Sequence, residues 1–276
     1  VRQYGMAKEG LIARQFMLGV VQTAEGLPIY HEVFDGNTAE TRTLLPTLTK
    51  VLERFPSVQR VVLVADRGLL SLDNLEALKS VRLASGKPLE FILAVPGRRY
   101  NEFIELLEPF HEEQCAAARQ EVVAEQPWNA LRLVVAHDPA TAAAKTAQRN
   151  ERIDALIRQA EQWTGKLTAQ DEGIQHRGRK LSDSGAKARF YHAVSEAHLS
   201  RILKVDLGEE LFSYHIDEKA RRLAEMMDGK LLLVTNAQGL GAQDVVQRYK
   251  SLADIERGFK VLKSEIEIGP VYHRLP

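Results

Sequence analysis

Apolar and polar positions follow several rhythms along this chain. "ARQFMLGVVQ" (13–22) and "LPIYHEVF" (27–34) have the composition and near-alternation of two strands. The turn at Ala24-Glu25-Gly26 predicts an antiparallel hairpin with a slightly enlarged loop. Residues 36–55 predict a helix with Leu44, Leu45, Leu48, Val51 and Leu52 on one face, and Pro46 marks a first turn or a kink. Val61–Ala65 is short, β-branched and apolar at every position, as suits a central strand buried on both sides of a parallel sheet. Ser71 can cap the helix behind it, whose Leu72, Leu75 and Leu78 recur every third position. "FILAVPG" (91–97) adds another strand.

From about Asn101 to Gly229 the rhythm changes. A helix-like run leads to "EVVAEQPWNALRLVVAH", which reads as a hairpin. Asp138-Pro139 then supplies the cap and first residue of a long helix with a seam at Ile153, Leu156, Ile157, Ala160 and Trp163. A second hairpin (202–216) and a short helix from Glu218 to Met227 complete the segment. The reading is an α/β core formed by 1–100 and 230–276, interrupted by an α+β insertion subdomain at 101–229. After it come a buried strand, "KLLLVTN" (230–236), and a helix expected from Gln243 to about Glu265. Leu252, Ile255, Phe259 and Leu262 form an apolar face that would dock on the sheet.

Composition narrows the class. The chain of 276 residues is 45% hydrophobic and 27% charged, which describes a globular protein rather than a disordered one. No apolar run approaches the ~20 residues of a membrane span. Cys115 is the only cysteine, which excludes an internal disulfide and a cysteine-rich metal site and fits an intracellular location. With 37 basic and 37 acidic residues the chain lacks the global positive field usual in nucleic-acid binders. Positive charge is concentrated in 176–190, a run whose default reading is a solvated loop. His31, His137 and His215 fall in or beside strand patterns and read as packing or turn residues, and no chemistry is assigned to His273.

Two positions invite chemistry. Asp66 follows the apolar strand directly, at the carboxyl edge where open α/β sheets place ligands, although an ordinary turn aspartate reads equally well there. In the closing helix Tyr249, Glu256 and Lys263 are seven residues apart. Seven residues turn a helix by nearly two full turns, so the three project along one line about 10 Å apart. An acid between a phenol and a lysine suits a metal ligand flanked by nucleic-acid contacts; the plainer alternative is a solvated face.

The block Tyr249-x2-Leu252-x3-Glu256-x6-Lys263 resembles the Y-x2-R-x3-E-x6-K block of DDE transposases of the insertion-sequence-four superfamily, departing from it at Leu252. "QYGMAKEG", "GLPIYHEVFDGNTAE", "VVLVADRGLLSLDNL" and "DGKLLLVTN" resemble further blocks of that superfamily in the same order. The resemblance covers most of the chain and is weakest at 110–200. It implies a ribonuclease-H-like mixed sheet with flanking helices and three metal-binding carboxylates. Asp66 matches the second aspartate and Glu256, 190 residues later, the glutamate. Both would be catalytic and metal-binding, holding two Mg²⁺ (or Mn²⁺) ions. Tyr249 and Lys263 would touch transposon-end phosphates, with Arg67 near the same site.

The chemistry explains the acids. Hard divalent ions prefer oxygen ligands, and two of them about 3.5–4 Å apart can activate a water or 3′-hydroxyl and stabilise the leaving oxygen. The implied partner is double-stranded DNA at element ends, with a homodimer in the complete protein, no membrane, and a bacterial cytoplasmic setting. The family's first aspartate has no counterpart upstream of "RQYGMAKEG", so this stretch is expected to be part of a transposase and to cleave little by itself. Two inner sheet edges are then expected to lack a neighbour. The alternative is a non-catalytic DNA-binding or dimerising remnant. An unrelated phosphohydrolase is disfavoured, because no glycine-rich phosphate loop, HExxH or nucleophile-elbow sequence occurs.

Overall fold

A computed structural model describes residues 3–6, 12–23, 25–65, 72–174, 180–253 and 257. They form two compact units. The first comprises residues 1–103, 123–136 and 231–276, the second 104–122 and 137–230.

The first unit opens with an antiparallel three-stranded sheet of β1 (Gln3–Met6), β2 (Ile12–Gln22) and β3 (Pro28–Asp35), in that order. Leu18 pairs with Val33 and Phe16 with Asp35, and Gly26 takes the left-handed φ of +85° that the turn between the strands requires. The expected hairpin is therefore present. Helix α1 (Glu40–Arg54) holds Pro46 in its interior, not at its first turn. Phe16, Leu18 and Val33 remain 54%, 43% and 46% exposed, so one face of the hairpin is uncovered apolar surface.

Five further strands build a mixed sheet in the order β4 (Val62–Ala65), β5 (Glu90–Ala94), β10 (Lys230–Thr235), β7 (Leu131–His137), β6 (Val122–Trp128). β4 and β5 are parallel, while β5 and β10 are antiparallel. Helices α2 (Leu72–Ser80) and α7 (Ala242–Lys250) belong to the same unit. Two expectations change here. β4 lies at an edge of this sheet among the described residues, not at its centre, with an open side of the kind the sequence reading also expects, and Val62–Val64 are half-buried. The 122–137 hairpin, assigned from the sequence to the insertion, supplies two strands of the sheet. Its reason is legible in β7, where Leu133–Ala136 are all buried, the continuous burial of an interior strand rather than alternation. Asn129 and Ala130, with φ of +46° and +60°, close that hairpin in two residues.

In the second unit, α3 (Ile104–Phe110) passes into a π-helical turn, His111–Cys115, in which Ala116 N donates to His111 O at 2.9 Å. Pro109 within α3 has no N–H to give to the helical ladder, and the slip in pairing follows directly behind it. Helix α4 (Pro139–Asp171) starts as the sequence specifies, with Asp138 Oδ1 accepting from Ala140 N at 3.0 Å. Its seam of Ile153, Leu156 and Ala160 is buried against Phe190 and Val194 of α5 (Asp183–Glu196) and against Phe212. The hairpin β8 (Leu203–Val205) and β9 (Tyr214–Ile216) and helix α6 (Glu218–Met227) complete this unit.

The basic run is not simply a solvated loop. Residues 183–190 are helical, and Lys187 is 9% exposed because its ammonium donates to the carbonyls of Glu209 and Glu210. A further buried charge is fixed by Arg149, whose Nη2 lies 2.5 Å from Asp228 Oδ2, while Thr146 Oγ1 donates to the same oxygen at 2.7 Å. Both members of the ion pair are nearly buried, so Asp228→Ala strands the guanidinium. A loss of about 3–5 kcal/mol in urea-unfolding free energy is expected, with Asp228→Asn falling between the two.

Candidate catalytic site

β4 ends at Ala65, level with Leu93 of β5 and 3% exposed. Asp66 and Arg67 come next in the chain; they, Glu256 and Lys263 lie outside the described residues. Tyr249 is the one candidate within them. It sits in the last turn of α7, a helix started after Gly241 with Asp244 in its first turn and Arg248 and Lys250 in its last, charges that complement the helix dipole. Val245 and Val246 are fully buried against Ile92, Ala94, Val134 and Leu233, and Val62, Val64 and Tyr249 pack on the rim of that cluster. Helix α7 thus touches both β4 and β5. The strand that leads into Asp66 and the helix that precedes Glu256 are neighbours. The expected helix does not run unbroken: α7 closes at Lys250 and Ser251 is a turn, with helical residues again at 252, 253 and 257.

Sequence reasoning passed over the residues that aim this helix. Arg132 of β7, with a side chain only 15% exposed, donates to the carbonyls of Ala237 and of Leu240, the latter at 2.8 Å, and pairs with Glu125. It thereby ties down the loop that launches α7. Asn236 acts as a strand residue would. Its Oδ1 accepts from Phe91 N at 2.8 Å and its Nδ2 donates to Leu89 O at 2.8 Å, while Thr235 Oγ1 donates to Phe91 O at 2.6 Å. The only available signal was polar residues closing the apolar run "KLLLVTN". Asn236→Leu leaves one backbone donor and one acceptor without these partners, and a loss of about 1–3 kcal/mol for each that stays buried is expected in chemical denaturation.

In the second unit an unassigned group of titratable side chains surrounds Lys230, which is 4% exposed. Its Nζ lies 3.0 Å from His111 Nδ1 and 3.5 Å from His137 Nδ1, with the face of Phe110 at 5.9 Å and Cys115 nearby. Burial first, and then the Lys230 charge, hold both imidazoles below the usual histidine range. Burial likewise lowers Lys230 and raises the Cys115 thiol. Histidines with lowered folded values bind protons more readily when unfolded. Stability is therefore complete above the ordinary histidine value of about 6.5 and is lost as pH falls below it toward the lowered native values. The melting temperature is expected to drop between about pH 7 and pH 5, and His137→Gln should flatten that drop.

Among the described residues, no group of three or more His, Cys, Asp or Glu side chains is placed to hold a metal ion, and no helix is long and apolar enough to cross a membrane.

A mixed α/β sheet, edged by a short parallel strand with a helix packed across its face, is compatible with the ribonuclease-H-like transposase class. The family model described as transposase DDE domain matches residues 17–274, and the chain belongs to that family. Neither a curated protein nor a solved structure matches it.

Proposed function

We propose that the chain forms the catalytic domain of a DNA transposase of a bacterial insertion sequence of the insertion-sequence-four superfamily. The reaction of such a transposase is cleavage of phosphodiester bonds at element ends and joining of the freed 3′ ends to target DNA. The observation that supports this most is the family match over nearly the whole chain, coupled to the packing of α7 on β4. The finer fold reading is a ribonuclease-H-like sheet carrying an inserted α+β unit. Asp66 and Glu256 are the residues that would hold Mg²⁺ or Mn²⁺, since carboxylate oxygens are the donors hard cations prefer. Bound ions supply Lewis-acid activation of the attacking hydroxyl and stabilisation of the leaving oxygen. Asp66 and Glu256 are two of the three acids of the family pattern.

Around the carboxylates, Arg67, Tyr249 and Lys263 engage backbone phosphates. Such contacts fix register and orientation but carry no base sequence. A chain of zero formal net charge can hold DNA this way if its cations are gathered where phosphate arrives. Two element ends are brought together by a homodimer.

Iron-directed cleavage of the polypeptide tests the shared site without requiring turnover. Fe²⁺ replaces Mg²⁺, and ascorbate with peroxide generates radicals that cut the backbone beside the bound metal. Cuts are expected near both 66 and 256, and both should disappear in Asp66→Ala. A cut near only one position, or cuts that survive the substitution, would remove this reading.

A further inference from the structure

Helix α4 of the second unit keeps its exposed charges in separate lines. Lys145, Arg152, Gln159 and Lys166 are all exposed and follow one another at seven-residue intervals. Seven residues make nearly two turns, so the four side chains form a row about 31 Å long in steps of about 10 Å. No acid stands three or four residues from Lys145, Arg152 or Lys166, the spacings at which helix side chains meet. Exposed Asp154 and Glu161 lie on the far side of the helix, four residues before and three after Arg158. Glu151 stands between the two lines, turned about 100° from its neighbour Arg152. Arg158 thus has the acids that a solvated face supplies to its cations, and the row does not.

The gap at Gln159 is filled from α5. Arg189 lines one shallow hollow together with Gln159, Trp163 and His192, which places a further cation beside the middle of the row. His192 has its own acid, Glu196, 3.3 Å away. Arg149 pairs with Asp228, and Arg221 with Glu218 and Glu225. Among the described residues no acid pairs with Lys145, Arg152, Lys166 or Arg189. Two unit charges 10 Å apart in water repel by only about 0.4 kcal/mol, and salt with a Debye length of about 8 Å screens them further. The row therefore costs the fold little, while its charge stays available to a polyanion.

We propose that this row is a second phosphate-binding surface, along which the backbone of duplex DNA of any sequence lies on α4. Its length is close to one turn of duplex, about 34 Å. The duplex carries one negative charge per ~1.7 Å of its axis, so cations in a row of this length all meet phosphate, and each contact releases counterions. Ammonium and guanidinium groups on phosphate fix position and do not read bases. The inference rests on the DNA-transposase reading and gives the second unit a part in it: holding duplex by its backbone, without metal and away from the residues assigned above.

Salt titration of the full chain on a fluorescent duplex of about 30 base pairs, roughly three turns, tests it in chelator. Lys145→Gln, Arg152→Gln, Lys166→Gln and Arg189→Gln should each lower the slope of log affinity against log salt by about one. The quadruple variant should lower it by about three to four, equally on two unrelated sequences, with an unchanged circular-dichroism melt. Arg158→Gln should leave the slope as it was. Placement is read separately from an iron chelate tethered to Gln159→Cys, since the native Cys115 is buried. That tether should cut the bound duplex, and one at Asp154→Cys, about 140° round the helix, should not. A slope indifferent to the four changes, a loss as large in Arg158→Gln, or equal cutting from 154 and 159 overturns the proposal. Binding that ignores α4 but falls with Lys263→Ala leaves the transposase reading standing and removes this surface alone. A full chain without affinity for duplex removes both.

Discussion

Gly229→Ala is expected to cost about 3 kcal/mol or more, enough to lower the urea midpoint sharply. Two effects add. Gly229 has φ of +70°, a left-handed conformation that burdens an L-residue by about 1 kcal/mol. A methyl group there would also collide with the carbonyl of Asp138 and stand 2.7 Å from Ala142 Cβ and 2.9 Å from Ala142 N. Neither neighbour can yield easily. The Asp138 amide donates to Gly229 O at 2.9 Å, and its side chain caps α4. Gly86 supplies the control, with φ of +77° and nothing within 4 Å of the added carbon. Gly86→Ala should therefore show the backbone cost alone, about 1 kcal/mol. Equal losses in the two variants would refute the collision. A larger loss at Gly229 measures how closely the turn before β10 is pressed on the first turn of α4.

How much of this was legible in the sequence depends on whether the signal was local. The β2–β3 hairpin, the Asp138-Pro139 start and the seam of α4 rest on alternation, capping and 3.6-residue spacing, and each is present as read. Membership of sheets was not legible in the same way. The 122–137 hairpin looks the same in an insertion as in a core sheet until it is known which strands flank it, although unbroken burial in "LVVA" hinted at an interior strand. β4 stands at an edge among the described residues, and its apolar run could not say which side is open: it states that faces are covered, not how many edges are paired. Lys187 shows the same limit for charge. Among basic neighbours it read as solvated, yet distant carbonyls at 209 and 210 draw it inward. Of the candidate site, Tyr249 is described and lies on the cluster joining α7 to β4, while Asp66, Arg67, Glu256 and Lys263 are outside the described residues. Arg132 and Asn236, which aim and anchor the elements around them, form contacts more than 100 positions away along the chain and follow no periodic pattern.

Asp66→Ala is expected to weaken Mn²⁺ binding by about 30-fold or more, roughly 2 kcal/mol, in paramagnetic-resonance titrations, and Glu256→Ala should do the same. The informative quantity is the double variant. If one cation cluster needs both carboxylates, removing the second after the first costs little more, and the two losses fall well short of adding. Independent sites would give additive losses, because separated groups without shared partners behave independently. DNA affinity responds differently. Lys263→Ala should weaken duplex binding across all sequences and reduce the salt slope by about one unit, the signature of one lost phosphate contact. In Ca²⁺, which supports binding without requiring chemistry, Asp66→Ala should leave that slope unchanged. Carboxylates that govern metal and a lysine that governs phosphate would then be separable functions on one chain. Additive metal losses, or a Lys263→Ala variant with unaltered salt dependence, would each break the assignment at an identifiable residue: the first at the pairing of 66 with 256, the second at the phosphate contact assigned to position 263.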